Sequence, residues 1–126
     1  MTATRTTRLR PCPRSPNCVS TLTGEDAKHR MDPLPLRLAP NQAIDRLKGI
    51  LARRERTEIV EQDGGYLHAT ETSALLRFVD DVEFEIDAEA GVIHFRSASR
   101  LGYSDLGVNR RRMEEIRAAY EGMQEE

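Results

Sequence analysis

No stretch of this chain approaches the roughly 20 consecutive apolar residues that a membrane-crossing helix requires, so no membrane span is expected. Neither sign of charge dominates. Nineteen Lys and Arg face 21 Asp and Glu, for a formal net charge of −2 and a pI near 6.0. Such a balance sets up no global field toward nucleic acid or an anionic surface, and no nucleic-acid partner is expected. Cysteine is scarce at two and histidine at three. A structural zinc site takes four ligands, so neither a metal nor a cofactor is expected. The basic N-terminus, Met1 to Arg10, has no apolar run behind it and does not read as a secretory signal. The expected location is cytoplasmic. There is no internal repeat, phosphate-binding loop, dinucleotide fingerprint, nucleophile elbow or Ser/His/Asp arrangement.

What is present fits one domain. A chain of 126 residues is long enough to bury a core without staples. Its polarity is uneven. All six prolines, Pro11, Pro13, Pro16, Pro33, Pro35 and Pro40, fall in the first 40 residues with both cysteines. Proline lacks an amide donor and fixes its own φ, so residues 1–39 read as an extended arm. Within it Leu34, Leu36 and Leu38 alternate, as an edge strand or a groove plug would.

From residue 40 to 126 the pattern is that of an α+β domain. Ile44, Leu47 and Leu51 form an apolar stripe on a helix of about 14 residues opened by Pro40 or Asn41. Arg53, Arg54 and Arg56 then suit its C-terminal dipole. Thr57 to Gln62 and Tyr66 to Thr72 read as strands around the turn Asp63-Gly64-Gly65. Leu75 to Asp87 places Leu76, Phe78, Val82, Phe84 and Ile86 on one face, which predicts one long strand, bulged near Asp80-Asp81. Val92 to Ala98 is the last strand. Val108, Met113, Ile116, Tyr120 and Met123 share a helix face. The expected fold is a two-layer sandwich: an antiparallel meander of about four strands with both helices on one face.

Three segments are longer and more specific than these periods. They are Cys12-Pro13-Arg14-Ser15-Pro16-Asn17-Cys18-Val19-Ser20, Arg77-Phe78-Val79-Asp80-Asp81-Val82-Glu83-Phe84, and the run from Arg96 through Gly102-Tyr103-Ser104-Asp105 to Arg110. Together they resemble the bacterial and plastid family called domain of unknown function 1499, from about Leu9 to Tyr120. The resemblance implies no established activity, substrate or cofactor. It also implies relatives that look exported or lipid-anchored.

Two constellations carry possible chemistry. Cys12 and Cys18, with five residues between them, are open to two readings: free thiols in a reducing cytosol, or a local disulfide. A thioredoxin-like redox pair lacks the two-residue spacing. Asp80 shares the parity of the core residues of its strand, and a buried carboxylate needs a partner. Arg77, Arg96, Arg100 and Arg110 are the candidates, in a network with Asp81 and Asp105 that pins the last strand to the following loop. The sharper reading makes that loop a ligand site. Arg96, Ser97, Ser99, Arg100, Tyr103 and Ser104, followed by Asn109 and Arg110, surround a helix start where a phosphate or carboxylate is readily held. Acid–base chemistry from His68, His94, Asp80 and Tyr103 is the enzymatic alternative. Arg110-Arg111-Arg112, followed by Glu114 and Glu115, reads as a solvated helix face. The leading expectation is a non-enzymatic binding module for a small anion or a protein partner. A redox or metal-linked protein acting through Cys12 and Cys18 is a further alternative.

Overall fold

The computed structural model describes residues 7–13, 17–22, 28–100 and 107–122. The chain runs β1 (Cys18–Ser20), β2 (Leu34–Pro35), α1 (Pro40–Ala52), β3 (Thr57–Asp63), β4 (Tyr66–Thr72), β5 (Val79–Asp87), β6 (Val92–Ser99) and α2 (Val108–Gly122). The α+β class expected from the sequence is present. The sheet has six strands where about four were expected, in the order β1-β6-β5-β4-β3, with β2 also on β6. The named strands pair antiparallel, and the path has two ends and does not close on itself. The two additional strands come from residues 1–39. Leu34 pairs Ile93 and is fully buried, so the alternating leucines do add a strand.

Local chemistry accounts for the elements. Pro40 supplies a preset φ where an amide donor is dispensable, and α1 buries Ala43, Ile44, Leu47, Ile50 and Leu51 along one stripe. Gly64, at φ 58°, makes the two-residue turn between Asp63 and Tyr66. Gly65 lies close beneath Ile86, where an added Cβ would sit 3.3 Å from the Ile86 Cβ. Leu67, Ala69, Val82, Phe84, Ile93 and Phe95 pack with the α1 stripe and with Met113, Ile116 and Tyr120 of α2 in one core. The helices therefore cover one face of the sheet, and the period-2 alternation sends the intervening side chains to the other.

The long strand expected from residue 75 is shorter. β5 begins at Val79; Leu76 is 64% exposed and Phe78 38%. Thr72 already pairs Val79, so residues 73–78 are the turn that returns β4 antiparallel to β5. Arg77 at φ 59° breaks the extended backbone there. The alternation of Leu76 and Phe78 with the strand is coincidental.

Candidate functional site

Polar side chains gather in two layers, one on each face of the sheet. Between sheet and α2 lies a buried network. Arg112 donates to Asp80 at 2.6 Å, to the Asn109 side-chain carbonyl at 2.7 Å and to the Ser97 hydroxyl at 3.0 Å. Ser97 in turn donates to Asn109 at 2.6 Å. The Asn109 amide donates to the Asn17 carbonyl and to Ser99. Arg112 also pairs Glu71 at 3.2 Å, and Arg54 donates to the same carboxylate at 2.9 Å. Burial pushes the Glu71 carboxyl up, but the bonds from Arg54 and the charge of Arg112 outweigh it and hold the group below its usual range.

Asp80 is thus inward and paired, as its parity implies. Its partner is Arg112, which the sequence reading had placed on a solvated face. Helix phase carried the missing signal: Asn109, Arg112, Met113, Ile116 and Tyr120 recur at three and four residues and are all buried. Arg110 donates to the carbonyls of Arg30 and Lys28, and Arg117 to those of Asp32 and Pro33, so α2 also holds the chain leading into β2. Arg77 lies apart from the network. It lines a depression at the end of β3 and β4.

The opposite face carries Tyr66 and His68 of β4, Asp81, Glu83 and Glu85 of β5, and His94 and Arg96 of β6. The alternation that buries Val82 and Phe84 turns Glu83 away from the helices, to the side that ordinarily faces solvent. Instead Glu83 is 7% exposed and Arg96 6%, because residues 7–11 lie over them. The Thr7 hydroxyl and Arg8 backbone amide donate to Glu85. The Arg8 guanidinium sits 3.8 Å above the Tyr66 ring and donates to Glu61 at 2.8 Å. Arg96 reaches the Pro11 carbonyl at 3.4 Å. The segment is tied down by a disulfide between Cys12 and Cys18, whose Cα atoms are 5.7 Å apart. Of the two readings open for these cysteines, the structure has the bridge. Cys18 pairs Ala98, which puts the bridge next to the Arg96 row.

Under this segment, Tyr66 donates its hydroxyl hydrogen to Glu83. Burial, then the bond to Glu83, raises the phenol so far that it stays protonated at any ordinary pH. The other Glu83 oxygen lies 3.8 Å from the Arg96 guanidinium. That oxygen and the Arg96 Nε are buried and make no hydrogen bond among the described residues. Burial pulls the Arg96 guanidinium down, opposed by Glu83. Beside them His68 lies 2.9 Å from Asp81, which Arg100 grips with two bonds at 2.9 and 3.0 Å. Burial raises the Asp81 carboxyl, but Arg100 and His68 more than offset it and hold it below its usual range. His94 shares a bond with Thr21 and sits 3.6 Å from Asp87.

The expected ligand loop is therefore divided. Ser97, Ser99 and Asn109 belong to the α2 layer, and Arg96 and Arg100 to the opposite one. Tyr103, Ser104 and Asp105 lie outside the described residues. Among the described residues, no group of three His, Cys, Asp or Glu is placed to hold a metal ion, and no helix is long and apolar enough to cross a membrane.

The fold and these layers define a small α+β protein with an open six-stranded antiparallel sheet, helices on one face and a disulfide-tethered segment on the other. Residues 8–120 match the family described as "Protein of unknown function (DUF1499)", and the chain belongs to it. Neither a curated protein nor a solved structure gives a match.

Proposed function

We propose that this chain is a redox-linked binding module whose Cys12–Cys18 bridge controls access to the Tyr66–Glu83–Arg96 cluster. The observation that carries the reading is the position of the bridge. It fastens the segment that covers the cluster to β1, the strand beside Arg96. Residues 7–13 thus act as an arm laid over the sheet, while Cys18–Ser20 and Leu34–Pro35 are strands within it. Cys12 is half-buried, so a dithiol reductant can attack its sulfur and displace the Cys18 thiolate. The reductant is oxidised to its own disulfide and both cysteines end as thiols. Among the described residues, the arm then remains held by Thr7, Arg8, Leu9 and the Arg96–Pro11 contact. In a reducing cytoplasm such a bridge opens, so the covered state belongs to oxidising conditions and the uncovered one to reducing conditions.

Among the described residues, the cluster presents a Glu83 carboxylate oxygen without a hydrogen-bond donor and an Arg96 N–H without an acceptor. Their complement is a ligand with a donor and an acceptor side by side, such as a carboxamide. This reading is favoured over an anion site at the loop from Arg96 to Asn109. There Ser97, Ser99 and Asn109 bond one another, and the Arg100 charge is matched by Asp81.

Amide hydrogen exchange of residues 7–13 and of β4 to β6 tests it, with and without dithiothreitol. Reduction, or Cys12→Ser with Cys18→Ser, should raise exchange in residues 7–13 while β5 stays protected. Equal protection in both states would sink the proposal.

A further inference from the structure

The β4–β5 turn carries an unusual combination of residues. The Ser73 amide donates to the Phe78 carbonyl and the Phe78 amide to the Ser73 hydroxyl, both at 2.9 Å. These bonds close a four-residue loop, Ala74-Leu75-Leu76-Arg77. Its tip offers large apolar side chains to water: Leu75 is 86% exposed and Leu76 64%. A turn is ordinarily built from small and polar residues, and two adjacent exposed leucines are not needed to make this one.

The backbone is strained at the same end of the sheet. Among the described residues only Arg56, at φ 55°, and Arg77, at φ 59°, are non-glycine residues in the left-handed region. Both line one depression of about 450 Å³, together with Thr57, Thr70, Thr72 and Glu58. Left-handed conformations at arginine persist only where the surroundings enforce them, and they concentrate at functional sites. Arg56 is steadied by a bond from its Nε to the Thr72 carbonyl at 3.0 Å and by Glu55 at 3.1 Å. Among the described residues Arg77 pairs with no carboxylate. Arg100 stands at the same end, because its amide bonds the Val79 carbonyl.

We propose that this end of the sheet is a peripheral docking surface for an anionic phospholipid membrane. Leu75 and Leu76 enter the boundary between headgroups and acyl chains, while Arg77 and Arg56 meet lipid phosphates. The apolar tip with cations directly behind it matches the order of layers in a lipid interface. Glu58 lines the same depression and Glu55 pairs with Arg56, so both partly offset the charge, and Arg77 is the main cation. The surface is separate from the Cys12–Cys18 bridge and does not depend on the redox reading.

Co-sedimentation with vesicles of phosphatidylcholine, with and without phosphatidylglycerol, tests the proposal on the full chain. Binding to the phosphatidylglycerol vesicles is expected, weaker with phosphatidylcholine alone and weakened by salt. Leu75→Ser with Leu76→Ser should reduce it more than about tenfold, since both leucines lose their apolar burial. Arg77→Gln should reduce it about fivefold, the share of one cation near an anionic surface. Both variants alter exposed side chains, and circular dichroism establishes that they fold. Three results would overturn the proposal. One is the absence of vesicle binding at low salt. Another is binding indifferent to the leucine pair. The third is inorganic phosphate binding that depends on Arg77 but not on the leucines, which would make the depression a free-anion site. Self-association abolished by the leucine pair, without vesicle binding, would assign the tip to a second copy instead.

Discussion

Arg112 on α2 donates to Asp80 on β5 at 2.6 Å, with both side chains nearly removed from water. The pair joins the last helix to the middle of the sheet. Three more acceptors, on Ser97, Asn109 and Glu71, surround the same guanidinium.

Removing one member leaves the other charged and buried without its partner. Arg112→Met should therefore cost about 3–5 kcal/mol in urea denaturation. Adding Asp80→Leu to it should recover part of that loss, because two apolar groups need no partner. A double variant less stable than Arg112→Met would show that Asp80 is held mainly by other groups.

Stability should fall in acid with a defined sign. Glu71 and Asp81 both have native carboxyl groups held below their usual range by arginines. A depressed carboxylate contributes stability that is fully present above its unfolded value, about pH 4, and lost as pH drops through the native value. Denaturation midpoints should be level above about pH 5 and decline below about pH 4. Glu71→Gln should lower the plateau and flatten the decline.

Closing so short a loop restricts the unfolded chain only modestly. Opening the Cys12–Cys18 bridge should cost about 2 kcal/mol by loop-closure entropy, read as a shift in the urea midpoint between oxidised and reduced protein. A much larger loss would mean that reduction releases the fold and not only the arm.

Arg8→Ala removes the cation over Tyr66 and the contact to Glu61. Exchange of the amides of residues 7–10 should rise even with the bridge intact. An unchanged pattern would show that the bridge and Leu9 hold the segment without Arg8.

Arg77→Gly relieves a left-handed backbone that arginine adopts only under constraint. The expected change is stabilising, up to about 1 kcal/mol, in contrast to most substitutions. Thermal denaturation measures it. A loss of stability would mean that the Arg77 side chain contributes to the fold.

Much of the fold was legible because it rests on periodicity. The α1 stripe, the Gly64 turn and the alternation of β5 follow from local side-chain spacing. Asp80 was legible as inward by the same rule. Its partner was not, because Arg112 stands in a run of three arginines and only the phase of the whole helix singles it out. The strand expected from Leu75 failed for a related reason. Alternation cannot tell a strand from a turn that happens to keep the same parity.

Local order in the chain thus settles the class of the fold, the helix stripes and which residues of each strand face the core, since these depend on neighbours a few residues apart. The burial of Glu83 and Arg96 has a different origin. They point away from the helices and are covered only because residues 7–11 return across more than 70 positions of chain, held by a bridge that pairs Cys12 with Cys18. Contacts of that separation leave no period in the sequence, so only the packed tertiary structure decides them.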